Sequence, residues 1–277
     1  MENIDLLYTN QENFLMVLDS RNATSYNNGS FNSSVEFDLI EPIKLGHRSI
    51  VMKCSVLNFT CPNSIYIINE YNNILIYTLA GFPQNAITFA YGNYNANTFM
   101  TLFKNTMPAG FNITFNSITN KFSITYTTDF SFNQGSTIYE VMGFARNVSY
   151  PSNNKTLNLP FTCNFNGLQS FNIHFASLNT NNIDSLTKSN SAIIQPIQIP
   201  INSNQILFQK TSDFNFVVAQ DIIDDIRIDL KDDLGNLINL NNSHFNLTLE
   251  FSITKDINRF RDLNNFHSIV KYGNFYY

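Results

Sequence analysis

Along this chain, short apolar or alternating stretches are separated by turns rich in Asn, Gly and Ser, the pattern of a sandwich or barrel of β-strands. Strands are expected at residues 14–18, 35–39, 50–59, 65–68, 74–79, 111–115, 122–126, 157–161, 171–175, 192–201, 206–209, 222–230 and 245–253. In Ile226-Arg227-Ile228-Asp229-Leu230 and in Phe245-Asn246-Leu247-Thr248-Leu249-Glu250-Phe251 every second side chain is apolar. A strand of that kind turns one face to a core and the other to water.

Two places break the period of two. Across residues 95–107, Phe99, Leu102, Phe103 and Met107 fall at helical spacing behind an Asn-rich start, and Pro108 stops the run. Across 136–143, Thr137 and Glu140 make a candidate capping box, and Gly143 can close the helix in a left-handed cap. Between them, two alternating segments flank residues 116–120, which reads as a hairpin. The expected organisation is therefore mainly β. A jelly-roll β-sandwich at 13–80 plus 147–255 is interrupted by a helix/hairpin insertion subdomain at 81–146, with terminal arms at 1–12 and 256–277.

Composition narrows the function classes. Charged residues are only 13% of the chain, while Asn occurs 44 times, Phe 26 and Tyr 13, with no Trp. So many aromatics argue against disorder, and a surface coated by Asn, Ser and Thr in place of charge associates readily. A net charge of −5 and only 16 Lys plus Arg leave no basic stripe for nucleic acid. The first nineteen residues carry Glu2, Asp5 and Glu12 and do not read as a secretion signal, and no run approaches the length of a membrane span.

Candidate chemistry is sparse. His47, His174, His244 and His267 stand alone, without the spacing of a metal site, and Cys54, Cys61 and Cys163 show no CxxC pair. Nine N-x-S/T sequons are what a chain so rich in Asn, Ser and Thr supplies by chance. The acidic run Asp221, Asp224, Asp225, Asp229, Asp232 and Asp233 is the best candidate for a cation or paired-carboxylate site. Asp229 alternates with Ile228 and Leu230, while Asp232 and Asp233 open a turn to Gly235, so a solvated strand and turn is the preferred reading. No nucleophile elbow and no phosphate loop is present. Catalytic, cofactor-binding and metal residues are thus expected to be none, no cofactor is expected, and the chain is expected not to be an enzyme.

Several segments, in order, resemble the penton and minor capsid proteins of viruses that build shells from double jelly-roll major capsid proteins, such as virophages and polinton-like viruses. They are Phe14 to Asn22 with Asp19-Ser20-Arg21, Pro62-Asn63-Ser64-Ile65-Tyr66, Gly92-Asn93-Tyr94 leading into the helix, residues 136–144 ending in Gly143-Phe144, and 226–240 with Asp232-Asp233-Leu234-Gly235-Asn236. The resemblance implies a jelly roll of two apposed four-stranded sheets with an outward insertion. It also implies a homopentamer at icosahedral vertices that contacts the major capsid protein, resides in the virion and is assembled inside the host cell; the charge and the short apolar runs add the expectation of no nucleic-acid binding and no membrane insertion. The competing reading is a calcium- or glycan-binding β-sandwich, a lectin-like attachment module.

Overall fold

The structure, a computed structural model, describes residues 9–26, 31–46, 49–178, 193–199, 206–210 and 216–256. The first strands are β1 (Thr9–Asp19), β2 (Ser25–Tyr26), β3 (Ser34–Lys44) and β4 (Ser49–Pro62). A middle set follows: β5 (Ile74–Leu79), β6 (Gln84–Thr88), helix α1 (Ala96–Thr106), β7 (Asn112–Asn116), β8 (Lys121–Thr125), β9 (Phe130–Phe132), helix α2 (Tyr139–Met142), β10 (Tyr150–Pro151) and β11 (Thr156–Asn158). The last are β12 (Ser170–Phe175), β13 (Ile193–Gln198), β14 (Ile206–Lys210), β15 (Phe216–Val218), β16 (Ile222–Lys231) and β17 (Asn246–Asp256). Two compact units result, one from residues 1–64 with 170–277 and the other from 65–169.

The first unit is a jelly roll. Its long strands β1, β3, β4, β12, β13, β14, β16 and β17 pair antiparallel as first with eighth, second with seventh, third with sixth and fourth with fifth. That is a single long ribbon folded on itself. Rolling the ribbon brings eighth beside third and seventh beside fourth, and β17 indeed pairs with β4 and β12 with β16. Two sheets follow, β1-β17-β4-β14 and β13-β12-β16-β3-β2, the double-sheet arrangement that jelly rolls use. Each holds five strands, not the four expected. β2 extends the second sheet, and in the first β14 and β15 both pair along β4, β14 against residues 58–62 and β15 against 52–54. Alternation supplies the core. Leu247, Leu249, Phe251 and Met52, Cys54, Val56 face in from one sheet; Val35, Phe37, Ile226, Ile228, Leu230, Phe171, Ile173 and Phe175 face in from the other. Rings meet across the sandwich at Phe59 and Phe171 (centroids 5.5 Å, edge to face) and at Phe175 and Phe216 (6.2 Å).

The second unit holds two small sheets, β10-β9-β5-β6 and β11-β8-β7, with α1. The helix starts where the sequence placed it, because the Asn95 side chain accepts from Asn97 N and Thr98 N while Thr98 Oγ1 accepts from Asn95 N, a reciprocal cap. Its buried Phe99 and Phe103 join Phe89, Phe122, Phe165 and Phe111 in one aromatic core. The hairpin forms in the expected place, with Asn116 opposite Lys121. Asn116 Oδ1 accepts from Ile118 N and Thr119 N, and Asn120 takes a positive φ of 53°. Such use explains much of the Asn content. Among the described residues, the non-glycine positions with positive φ are Asn32, Asn120, Asn147, Asn154, Asn241, Asn242 and Lys155, and Asn tolerates that conformation better than other side chains.

Three further expectations differ from the structure. The unit spans 65–169, wider than 81–146, because β5 pairs with β9 and β11 with β8, tying residues before 81 and after 146 into it. Residues 65–68 form only a single bridge, Ile68 to Gly92. Side-chain amides take the backbone there: Asn93 Oδ1 accepts from Ile67 N, and Asn72 Nδ2 donates to Ile67 O. The Thr137–Glu140 capping box does not form, since Thr137 Oγ1 instead accepts from Ile74 N at 2.9 Å and α2 begins without a side-chain cap. Gly143 does close α2 in the left-handed region, at φ 91°.

Candidate functional site

Chemistry on a substrate or cation needs polar groups that converge, and the acidic run does not supply them. Asp221, Asp224, Asp225 and Asp229 are strung along or beside β16, and Asp232 folds back on its own turn, its carboxylate accepting from Leu234 N, Asn236 N and Asn236 Nδ2. Asp233 accepts from Asn172 Nδ2 at 3.3 Å. Among the described residues no three His, Cys, Asp or Glu side chains are grouped to hold a metal ion.

Asp229 departs from the solvated reading. It is 5% exposed, accepts from Ser34 Oγ at 2.7 Å, and pairs with Lys231 Nζ at 2.9 Å, with Arg227 Nε at 3.8 Å. Burial alone would raise its pKa, but the Ser34 hydroxyl and the Lys231 ammonium outweigh it and hold the carboxyl below the usual range. It is a structural anchor between β3 and β16.

His174 lies at an outward position of β12, opposite Asp229 in register. His244 Nδ1 stands 3.2 Å from Ser20 Oγ, and His47 and His267 lie outside the described residues. Cys54 and Cys61 are buried in β4, and burial pushes both thiols well up, Cys61 to about 12, so they pack as small apolar groups.

The segments that carry the capsid resemblance sit at joints of the fold. Asp19-Ser20-Arg21 ends β1 in a 3-10 turn, where Asp19 accepts from Arg21 N and buried Ser20 exchanges bonds with Phe245 N and O. Arg21 beside Asp19 lowers that carboxyl. At the Asn63-Ser64 joint, Ser64 Oγ donates to Leu240 O and Asn241 Nδ2 to Ser64 O. These residues hold loops in place and form no cleft.

What remains is surface, and the two sheets of the jelly roll differ there. On the sheet headed by β1, cross-strand rows facing outward are Gln11-Thr254-Val51, Asn13-Ser252-Lys53-Val217, Leu15-Glu250-Ser55 and Val17-Thr248-Asn58. Within these rows one acid, Glu250, and one base, Lys53, cancel. Leu15 and Val17 are 63% and 73% exposed. The other sheet carries Glu36, Asp38, Asp225, Arg227, Asp229 and Lys231 outward.

Edges differ too. On β3 the stretch beyond β2 contains Glu41 and Pro42, residues that discourage strand addition. β1 closes its sheet with no strand beyond it among the described residues, and Asn13-Phe14-Leu15-Met16-Val17 carries neither charge nor Pro. Exposed apolar residues on a long open edge mark a surface built for contact. Charge depletion was legible in the composition; which face it fell on was not.

Fold and surface together define a mainly β, jelly-roll chain with an inserted unit. No family model and no curated protein matches the sequence. Among solved structures the chain is similar to the selenomethionine-labelled mavirus penton protein, with 11% identity, a TM-score of 0.45, and coverage of 89% of this chain and 99% of that one.

Proposed function

We propose that the chain is a structural subunit of an icosahedral capsid, a vertex (penton) subunit or a related minor capsid protein. It works as a homopentamer that packs against the major capsid protein, in the virion, with no catalytic role. The observation that carries this reading is the charge-poor outer face of the β1 sheet, with Leu15 and Val17 exposed beside an open edge. Apolar area left in water favours association, and a ring requires one face of a subunit to meet a different face of the next. The capsid-like segments Asp19-Ser20-Arg21 and Asn63-Ser64 support the same reading, since they fall at joints of the jelly roll.

In this proposal the terminal segments 1–8 and 257–277 act as arms on neighbouring subunits, whereas residues 9–12, expected to belong to an arm, pair with 253–256 within the jelly roll. Negative-stain microscopy of the purified chain is expected to show five-fold rings; a monodisperse monomer at every concentration contradicts the proposal. Removing 256–277 is expected to reduce incorporation into particles while the circular dichroism spectrum stays that of a β protein.

A further inference from the structure

The inserted unit carries an open surface depression of ≈ 260 Å³ that the assembly reading leaves unused. Two segments, 139–146 and 161–164, form its walls. They are held back to back: Phe161 N donates to Gly143 O at 3.0 Å, and Asn164 N reaches Glu140 O at 3.2 Å. A Cβ on Gly143 would lie 2.4 Å from Phe161 O, so only glycine lets the segments approach this closely.

The side chains around the depression are Tyr139, Glu140, Arg146, Phe161, Thr162 and Asn164. Phe161 is 53% exposed although it is a large apolar ring. Asn164 uses its side-chain oxygen on Asn166 N at 3.0 Å. Burial pushes the Tyr139 phenol up, the Glu140 carboxylate adds to that and Arg146 offsets part of it.

Four features select the occupant. One carboxylate and one guanidinium cancel, which disfavours a strongly charged ligand. Guanidinium and amide donors, a carboxylate acceptor and two hydroxyls suit neighbouring OH groups that each donate and accept. The exposed ring of Phe161 offers a flat apolar face, and the volume lies below the roughly 300–1,000 Å³ of pockets for drug-sized molecules. We infer that this depression binds a single ring of a neutral sugar, stacked on Phe161 and hydrogen-bonded by Arg146, Glu140 and Thr162. The site would give the inserted unit an attachment function, and it stands whether or not the chain assembles.

Saturation-transfer NMR on the full chain tests this with methyl α-glucoside, methyl α-galactoside and N-acetylglucosamine as neutral probes and N-acetylneuraminic acid as an acidic one. At least one neutral probe is expected to receive saturation, and Phe161→Ala and Arg146→Ala are each expected to weaken its binding about tenfold. Both side chains are exposed, so both variants are expected to keep the wild-type dichroism spectrum; should one unfold, the other carries the comparison. The inference is overturned if no neutral probe binds, if only the acidic probe binds, or if binding survives in the folded variants.

Discussion

The two sheets of the jelly roll are alike inside and opposite outside. Facing the core, both carry Val, Ile, Leu and Phe in alternation, and rings such as Phe59 and Phe171 interlock between them. Facing out, the β16 sheet is laced with charge anchored by Asp229, while the described rows of the β1 sheet are poor in charge and bear Leu15 and Val17. Core demands are met equally by both, so folding does not account for the outward difference. A charged face keeps a protein apart from its neighbours; a neutral face with an open edge brings them together.

The largest effect belongs to the shared interior. Phe59→Ala is expected to cost about 3–5 kcal/mol by leaving a cavity between the sheets, read by urea unfolding followed through tyrosine fluorescence, since the chain has no Trp. A small loss would mean the sheets are not packed through this ring.

Next comes the charged face. Asp229→Ala removes the partner of Ser34 and Lys231 and is expected to cost about 1–3 kcal/mol. Because the Asp229 pKa is depressed on folding, its contribution is present above the ordinary carboxyl value of about 3.9 and is lost as pH falls through the lower folded value. Asp229→Asn should therefore flatten the acid limb of stability measured below pH about 4; an unchanged limb would remove Asp229 from that role.

On the charge-poor face, Ser252 bonds only to the uncharged Gln11 and Asn13 side chains, at 2.9 and 2.7 Å. Ser252→Ala is accordingly expected to cost less, about 0.5–1.5 kcal/mol, with no new dependence on salt. A loss as large as that of Asp229→Ala would erase the contrast between the faces.

How much of this could be read from sequence follows from what each segment exposes. The strands at 226–230 and 245–251 announce themselves, because one face is buried along their whole length. So does α1, whose cap and apolar stripe are local. β6 does not: Gln84-Asn85-Ala86-Ile87-Thr88 is nearly all exposed at the end of its sheet and carries no alternation. Nor do the limits of the inserted unit, which rest on pairing of β5 with β9 across some fifty residues of chain. The burial of Asp229 likewise depends on Ser34, nearly two hundred residues away in sequence. Register between distant strands decides such contacts, and a period along one strand carries no trace of it. The sugar depression was hidden for the same reason, since Tyr139, Arg146 and Phe161 meet only through the close approach at Gly143.

The smallest change in stability should bring the largest change in assembly. Leu15→Lys with Val17→Lys replaces two side chains that are mostly in water already, so folding is expected to shift by no more than about 0.5 kcal/mol. Sedimentation velocity on this variant beside the wild type puts the question most directly. The wild-type chain is expected to sediment as a pentamer and the doubly substituted chain as a folded monomer. A variant that still forms the wild-type oligomer, or a wild type that never leaves the monomer, would contradict the assignment of the β1 face to contact between subunits.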